Sequence, residues 1–307
     1  MRRGVLSLTL ATALLLPTAC FTGVESTPKI TARDVKRENV TVTAEDTFLL
    51  TVADAPLREW QPGKRFRVTD PKISLVFGAT MPEDEELAGR DITFEGMAEV
   101  PSITGGTDTQ LTFRSPRGAT LVYREQRALS RLMEKQSMSV PFTIQETMVE
   151  EARRLLTGKR LYILTSLWRD DADQPVDGRK FVPVTIDSVG YGTSFYPVKI
   201  AFTDERGVSA RVFLYPGAQS STPRTFPGLF AFSDPRSRYP DISPEMWACI
   251  IDSRIAPGMT RDEARLALGV PKEVERQPTP TLLREMWVYD NGIYLLFEDG
   301  LLKAYRR

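Results

Sequence analysis

Histidine is absent from this chain, and cysteine occurs only twice. Without imidazole, Ser-His-Asp and Cys-His nucleophilic machinery is excluded, together with every metal site that needs a histidine ligand. What remains is carboxylate, lysine, tyrosine or serine-lysine chemistry. An excess of either charge is lacking too: Lys plus Arg and Asp plus Glu both number 40. No net field therefore draws nucleic acid, anionic lipid or an acidic substrate to the surface, and nucleic acid is not an expected partner. Long hydrophobic runs are missing as well. The longest, GVLSLTLATALLLPTA at 4–19, has the length of a secretory core segment and is short for a membrane span. With 307 residues, 41% hydrophobic, the chain can build two or three modest cores and is long for one, so several domains are expected.

The two cysteines read differently. Arg2-Arg3 precede the apolar run and Cys20 ends it, the composition of an export signal. The tail Leu16-Pro17-Thr18-Ala19-Cys20 resembles a bacterial lipobox, in which small residues precede a cysteine that is diacylated and becomes the mature N-terminus. Pro17 stands where Leu is usual, with Leu displaced to position 16. The resemblance implies a lipoprotein signal peptide over 1–20 and lipidation of Cys20; attachment to the outer membrane of the cell envelope, with the body facing the periplasm, is the expected location. The alternative is an ordinary signal peptide and an incidental cysteine. An acyl anchor works because each buried methylene contributes ~0.8 kcal/mol. Residues 21–42 are polar with little periodicity and read as a tether. Cys249, inside MWACII, reads as a small core residue; a reactive thiol would want a nearby cation or helix N-terminus.

Two stretches resemble each other. At an ungapped offset of 89, the segment from Gly89 faces that from Gly178: Gly89-Arg90 fall on Gly178-Arg179, Leu111 on Ile200, Phe113 on Phe202 and Gly118 on Gly207. Upstream, PGKRFRVTD from Pro62 faces TGKRLYILT from Thr157, and Thr43/Asp46 and Thr143/Glu146 both have the spacing of helix-capping pairs. Alternation such as Phe181-Val182-Pro183-Val184 and the turns SPRG and DERG predict about five strands after each short helix. The expected organisation is a helix-plus-β unit at 43–125, a connector helix at 126–142, a second helix-plus-β unit at 143–219 and a Pro/Ser-rich ordered linker at 220–242.

The last 65 residues, 243–307, predict two helices and a three-stranded antiparallel meander. Ser243-Pro244-Glu245 starts the first helix; Thr260 with Glu263 starts the second, and Gly269 with Pro271 ends it. Asn291-Gly292 and Asp299-Gly300 suit tight hairpins. On Gly258, Met259, Thr260, Glu263, Leu268, Gly269, Pro271, Trp287, Tyr289, Phe297, Asp299 and Gly300, this stretch resembles the small outer-membrane lipoprotein domain of the BamE (SmpA/OmlA) type. That resemblance implies an architecture like that of β-lactamase-inhibitor proteins and a protein-binding or envelope-assembly role. The whole chain is thus expected to be α+β and multi-domain: two related units, then this domain.

Candidate chemistry is sparse. The acidic loop RDDADQPVDG, with Asp170, Asp171, Asp173 and Asp177, fails as an EF-hand because a loop counted from Asp171 puts Pro175 at position five and Val176 where the glycine belongs. It reads as a solvated turn, and MPEDEEL at 81–87 as a solvent-exposed charge run. No metal or cofactor is expected. A carboxylate-pair glycosidase needs no histidine, but nothing places two acids across a large concave scaffold. Trp60, Trp168, Phe195, Tyr196 and Trp287 are candidates for an interaction surface, with core or corner packing as the other reading. The expectation is a non-catalytic envelope lipoprotein that binds envelope proteins. A membrane-anchored binder of glycan or peptidoglycan is the second reading, and an inhibitor of a secreted enzyme the third.

Overall fold

The computed structural model describes residues 42–103, 105–217, 224–278 and 282–306. Cys20, the expected signal peptide and nearly all of the expected tether lie outside the described residues. The protein is α+β, and the described residues form three antiparallel sheets of five, seven and four strands and seven short helices. None of the helices among the described residues is long and apolar enough to cross a membrane.

The chain enters through α1 (Ala44–Thr47), a single turn held by a capping box in which the Thr43 N–H donates to Asp46 and the Asp46 N–H to Thr43 Oγ1. Beyond it, β1 (Arg65–Val68), α2 (Ile73–Phe77), β2 (Asp91–Pro101), β3 (Thr107–Arg114), β4 (Thr120–Glu125), α3 (Leu129–Met133) and β5 (Thr143–Gln145) build the first unit, with strand order β4-β3-β2-β1-β5. In β1, Phe66 and Val68 point inward while Arg65 and Arg67 reach Asp91 on the open face, the period-2 pattern of a half-buried strand. The core is aromatic: Trp60, Phe66, Phe94, Phe77 and Phe113 meet at tilted or edge-on angles.

After α4 (Glu146–Leu156), the strands β6 (Arg160–Ile163), β7 (Leu167–Arg169), β8 (Pro175–Asp177), β9 (Val182–Tyr191), β10 (Val198–Asp204) and β11 (Ser209–Leu214) follow. α5 (Phe226–Leu229) and β12 (Phe230–Ala231) complete the second sheet, ordered β12-β6-β9-β10-β11-β7-β8. The two units share a plan. β1-β2-β3-β4 and β6-β9-β10-β11 hold matching places, and each sheet is closed by a later strand, β5 on β1 and β12 on β6. A bulge sits between Phe94 and Gly96 in one and beside Phe202 at Asp187 in the other. Ser115 and Asp204 hold equivalent turns, receiving backbone N–H groups from Ala119 and Val208.

The ungapped register needs correction. It holds for β3-β4 against β10-β11, but Gly96 pairs with Thr112 while Ser188 pairs with Ala201, so the second hairpin is three residues shorter. Gly89 therefore matches Phe181, not Gly178: both are left-handed (φ 74° and 58°), and both donate their N–H to the last residue of the strand before, Val68 or Ile163. Four further expectations change. Thr143 caps no helix, because pairing with Val68 keeps it extended; α4 starts after Gln145 without a side-chain cap. The connector helix shrinks to α3, since Met138 and Val140 are drawn into the first core. Residues 48–52, expected in the first unit, pack in the second, where Phe48 meets Phe226 at 4.7 Å and Leu49 and Val52 join its core. Lastly, MPEDEEL is not wholly solvated: Glu85 is buried and accepts from Ser115 Oγ at 2.6 Å and Arg117 N at 3.1 Å, anchoring the β3–β4 turn.

The last part contains α6 (Pro244–Ile251), α7 (Arg261–Leu268) and four strands, β13 (Glu273–Pro278), β14 (Leu283–Val288), β15 (Tyr294–Glu298) and β16 (Leu301–Arg306). One strand more than expected is present, because β13 is an exposed edge strand of sequence EVERQP, whose charges protect the edge and hide the alternation. The caps are as read: Ser243 accepts from Met246 N, Thr260 and Glu263 form a capping box, and Gly269 (φ 88°) ends α7.

Gly178 has a separate role, since a Cβ there would lie 2.0 Å from the Trp168 ring. Gly178→Ala should lower stability by about 1–3 kcal/mol, read from urea unfolding. Gly190→Ala, where a Cβ meets open space, should stay within about 0.5 kcal/mol of the parent.

Candidate functional site

The five candidate aromatics do not form one surface. Trp60, Trp168 and Trp287 are buried, one in each of the three cores. Their indole N–H groups are satisfied internally, by Ala55 O at 3.0 Å, Thr165 O at 2.8 Å and Glu285 Oε2 at 3.3 Å. A large flat ring with an internal partner for its one donor gains most by burial. Phe195 alone is well exposed, at 82%, at the tip of the β9–β10 hairpin. Tyr196 is half-buried beneath the Arg224 guanidinium, 4.9 Å away. The C-terminal motif residues serve the fold: Gly258 (φ 86°) donates to Leu302 O, Met259 is buried, Gly292 and Gly300 turn hairpins, and Pro271 follows the end of α7.

Three acids of the 169–178 loop are also committed. Asp170 accepts from Ala172 N and Gln174 N, Asp171 pairs with Arg211 at 2.9 Å, and Asp173 lies near Lys199 and Arg211. Among the described residues no group of three metal-ligating side chains comes together.

A different place concentrates unusual chemistry: the three residues Arg179, Lys180 and Phe181, between β8 and β9. Phe181 can direct its ring out of the second sheet only because its backbone is left-handed, a conformation that costs a bulky residue about 1 kcal/mol or more. The ring packs edge-on to Trp247 of α6 at 5.8 Å and joins the third core. Arg179 lies among three carboxylates, Asp204 (3.7 Å), Glu205 (3.1 Å) and Asp252 (3.7 Å). Asp204 is buried and also accepts from Arg206 N and Val208 N. Lys180 is only 8% exposed. Its N–H donates to Ile251 O at 3.1 Å, and its Nζ donates to Ala267 O in the last turn of α7, where a helix favours a cation. Burial pushes the Lys180 ammonium down to about 8, and among the described residues no carboxylate counters it.

Lys180 lines a cleft of about 840 Å³ between the second sheet and the C-terminal part. One wall is apolar, from Leu164, Leu167, Val212, Phe213 and Leu229; Leu268 and Ile293 face it. Thr165, Ser166 and Asn291 add hydrogen-bonding groups, and Arg224, Arg254, Asp177 and Asp252 add charge. Asp252 is already shared by Arg179 and Arg254. Such a mixed lining at a junction of packed units is the usual make-up of a ligand site. Sequence reading missed Lys180 because its setting is created by Ile251 and Ala267, the latter 87 residues away; a lysine between an arginine and a phenylalanine carries no motif. No protein-family model matches the chain, and the search of curated proteins finds no match either.

The displaced lysine gives a signed pH dependence. Its folded value, about 8, lies below the ordinary 10.5, so between these values the unfolded chain binds more protons and stability rises with pH. The stability of the parent relative to Lys180→Met should therefore increase from pH 8 to pH 10.5, measured by urea midpoints at each pH.

Proposed function

We propose that this chain is a lipid-anchored protein of the cell envelope that binds other proteins, with Cys20 as the anchor and the cleft beside Lys180 as the contact site. The observation that carries the reading is the cleft itself: an apolar wall, scattered hydrogen-bonding groups and converging cations at the seam of two packed units. The likeness of 243–307 to the BamE-type domain supports the same class, since the two helices lie against an antiparallel sheet and the motif residues act as caps, turns and core. Placement in the outer membrane with the body in the periplasm, a role in envelope assembly and a non-catalytic mode of action belong to this proposal. The glycan reading is less favoured, because Trp60 and Trp168, which would stack on sugar rings, are core residues.

The test has two parts. Cys20→Ser should move the protein from the membrane fraction to the soluble fraction; retention in the membrane would refute the anchor. Crosslinked capture from membranes, read by mass spectrometry, should recover defined protein partners. Leu167→Glu, at a side chain 71% exposed on the cleft rim, should reduce that recovery at least tenfold while leaving the melting temperature unchanged. Recovery that ignores the substitution would remove the cleft from the reading.

A further inference from the structure

We infer that the cleft recognises the free C-terminal carboxylate of a peptide segment, with Lys180 as the group that receives it. This deepens the protein-binding reading and rests on it. Lys180 holds a cation at the floor of the cleft, and among the described residues its contacts are neutral: the Ala267 carbonyl and the Phe181 ring, 5.8 Å from its Nζ. An ammonium has three donors. A carbonyl at the end of a helix satisfies one of them and supplies only a fractional negative charge. Taking a full charge out of water costs several kcal/mol unless an opposite charge meets it, and among the described residues none is paired with Lys180.

The surrounding charges point the same way. The cleft lining carries three cations, Lys180, Arg224 and Arg254, against two carboxylates, Asp177 and Asp252. Asp252 is drawn off by Arg179 and Arg254, and Asp177 lies on the exposed edge strand β8. The missing partner at the floor is therefore an anion brought by a ligand. That displaced ammonium, held near pH 8 by burial, is what an absent counter-charge produces, and binding a carboxylate would raise it again.

The rest of the lining selects the kind of anion. Leu164, Leu167, Val212 and Phe213 offer an apolar wall, and the polar residues Thr165, whose hydroxyl accepts from Leu167 N, and Ser166 line the cleft beside it. An inorganic anion would leave the wall unused, and an alkyl carboxylate would leave the hydroxyls without ligand partners. A peptide end has all three parts: a carboxylate, amide groups and apolar side chains.

An array of random peptides, each made with a free C-terminus and as the C-terminal amide, tests this with the full-length protein. Peptides ending in apolar residues should bind, and amidation should weaken them about ten- to hundredfold, the loss of one charge-assisted hydrogen bond at about 1.5–3 kcal/mol. Lys180→Gln should bind both forms alike, provided that its melting curve shows a folded protein. Leu167→Glu should weaken both. In lysine side-chain NMR the Lys180 midpoint should move upward from about 8 when a bound peptide acid is present, a change that a purely structural lysine would not undergo. Equal binding of acid and amide by the parent, or discrimination that survives Lys180→Gln, overturns the inference and leaves the protein-binding reading standing. Failure of every peptide while crosslinked partners remain does the same. Loss of both peptides and partners sinks the two together.

Discussion

The junction at Arg179–Phe181 is the constraint on which the arrangement of the second and third sheets depends. Phe181 accepts an unfavourable backbone so that its ring can enter a core built by α6, α7 and the last three strands. Arg179 then binds Asp252 of the α6 end to Asp204 of the β10 turn. Lys180 adds a backbone bond to Ile251 and a side-chain bond to Ala267. Apolar burial favours contact without fixing an angle; the directional bonds of the three neighbours fix the angle. A cleft of definite shape follows, because its two walls belong to elements held at this one seam.

The same junction explains a difference between the two related units. At the position equivalent to Phe181, the first unit has Gly89, which adopts the left-handed conformation without strain and sends no side chain outward. Its loop before β2 instead holds α2, whose Ile73 and Phe77 cover the unit's own core. In the second unit the loop before β9 forms the β7–β8 hairpin, which widens the sheet and supplies a wall of the cleft. One topology thus closes on itself in the first case and recruits a neighbour in the second.

Much of this fold was legible in the sequence, and the exceptions share a cause. Caps and turns at Thr43, Ser243, Thr260, Gly269 and Gly300 are local, and the structure agrees with each. Alternation at the start of β9, Val182-Pro183-Val184, is equally local. What failed was decided by distant partners. Thr143 has a cap's spacing but is held extended by Val68; Leu49 and Val52 lie in the stretch expected to open the first unit yet fill the second. Three tryptophans cannot be told from surface aromatics until their cores and N–H acceptors are known. The three-residue slip between the units was hidden because the shorter hairpin displaces only the strand before it, while the Phe113/Phe202 match beyond it stays in register.

The candidate site was less legible still, and for a reason that bears on its use. Cap, turn and core residues in 258–300 are what give the C-terminal stretch its recognisable pattern, so the pattern reports on folding. Lys180 contributes nothing to that pattern; it comes from the preceding unit and acquires its character only on docking against α7. A buried ammonium is a net cost to the folded chain in the range where it stays charged. A hydrophobic residue of similar length would fill the same space and still leave Phe181 and Arg179 to hold the seam. The bond to the end of α7 gives the ammonium one use in docking, but a helix carbonyl supplies only a fractional negative charge, and the proposed ligand carboxylate would supply the full one.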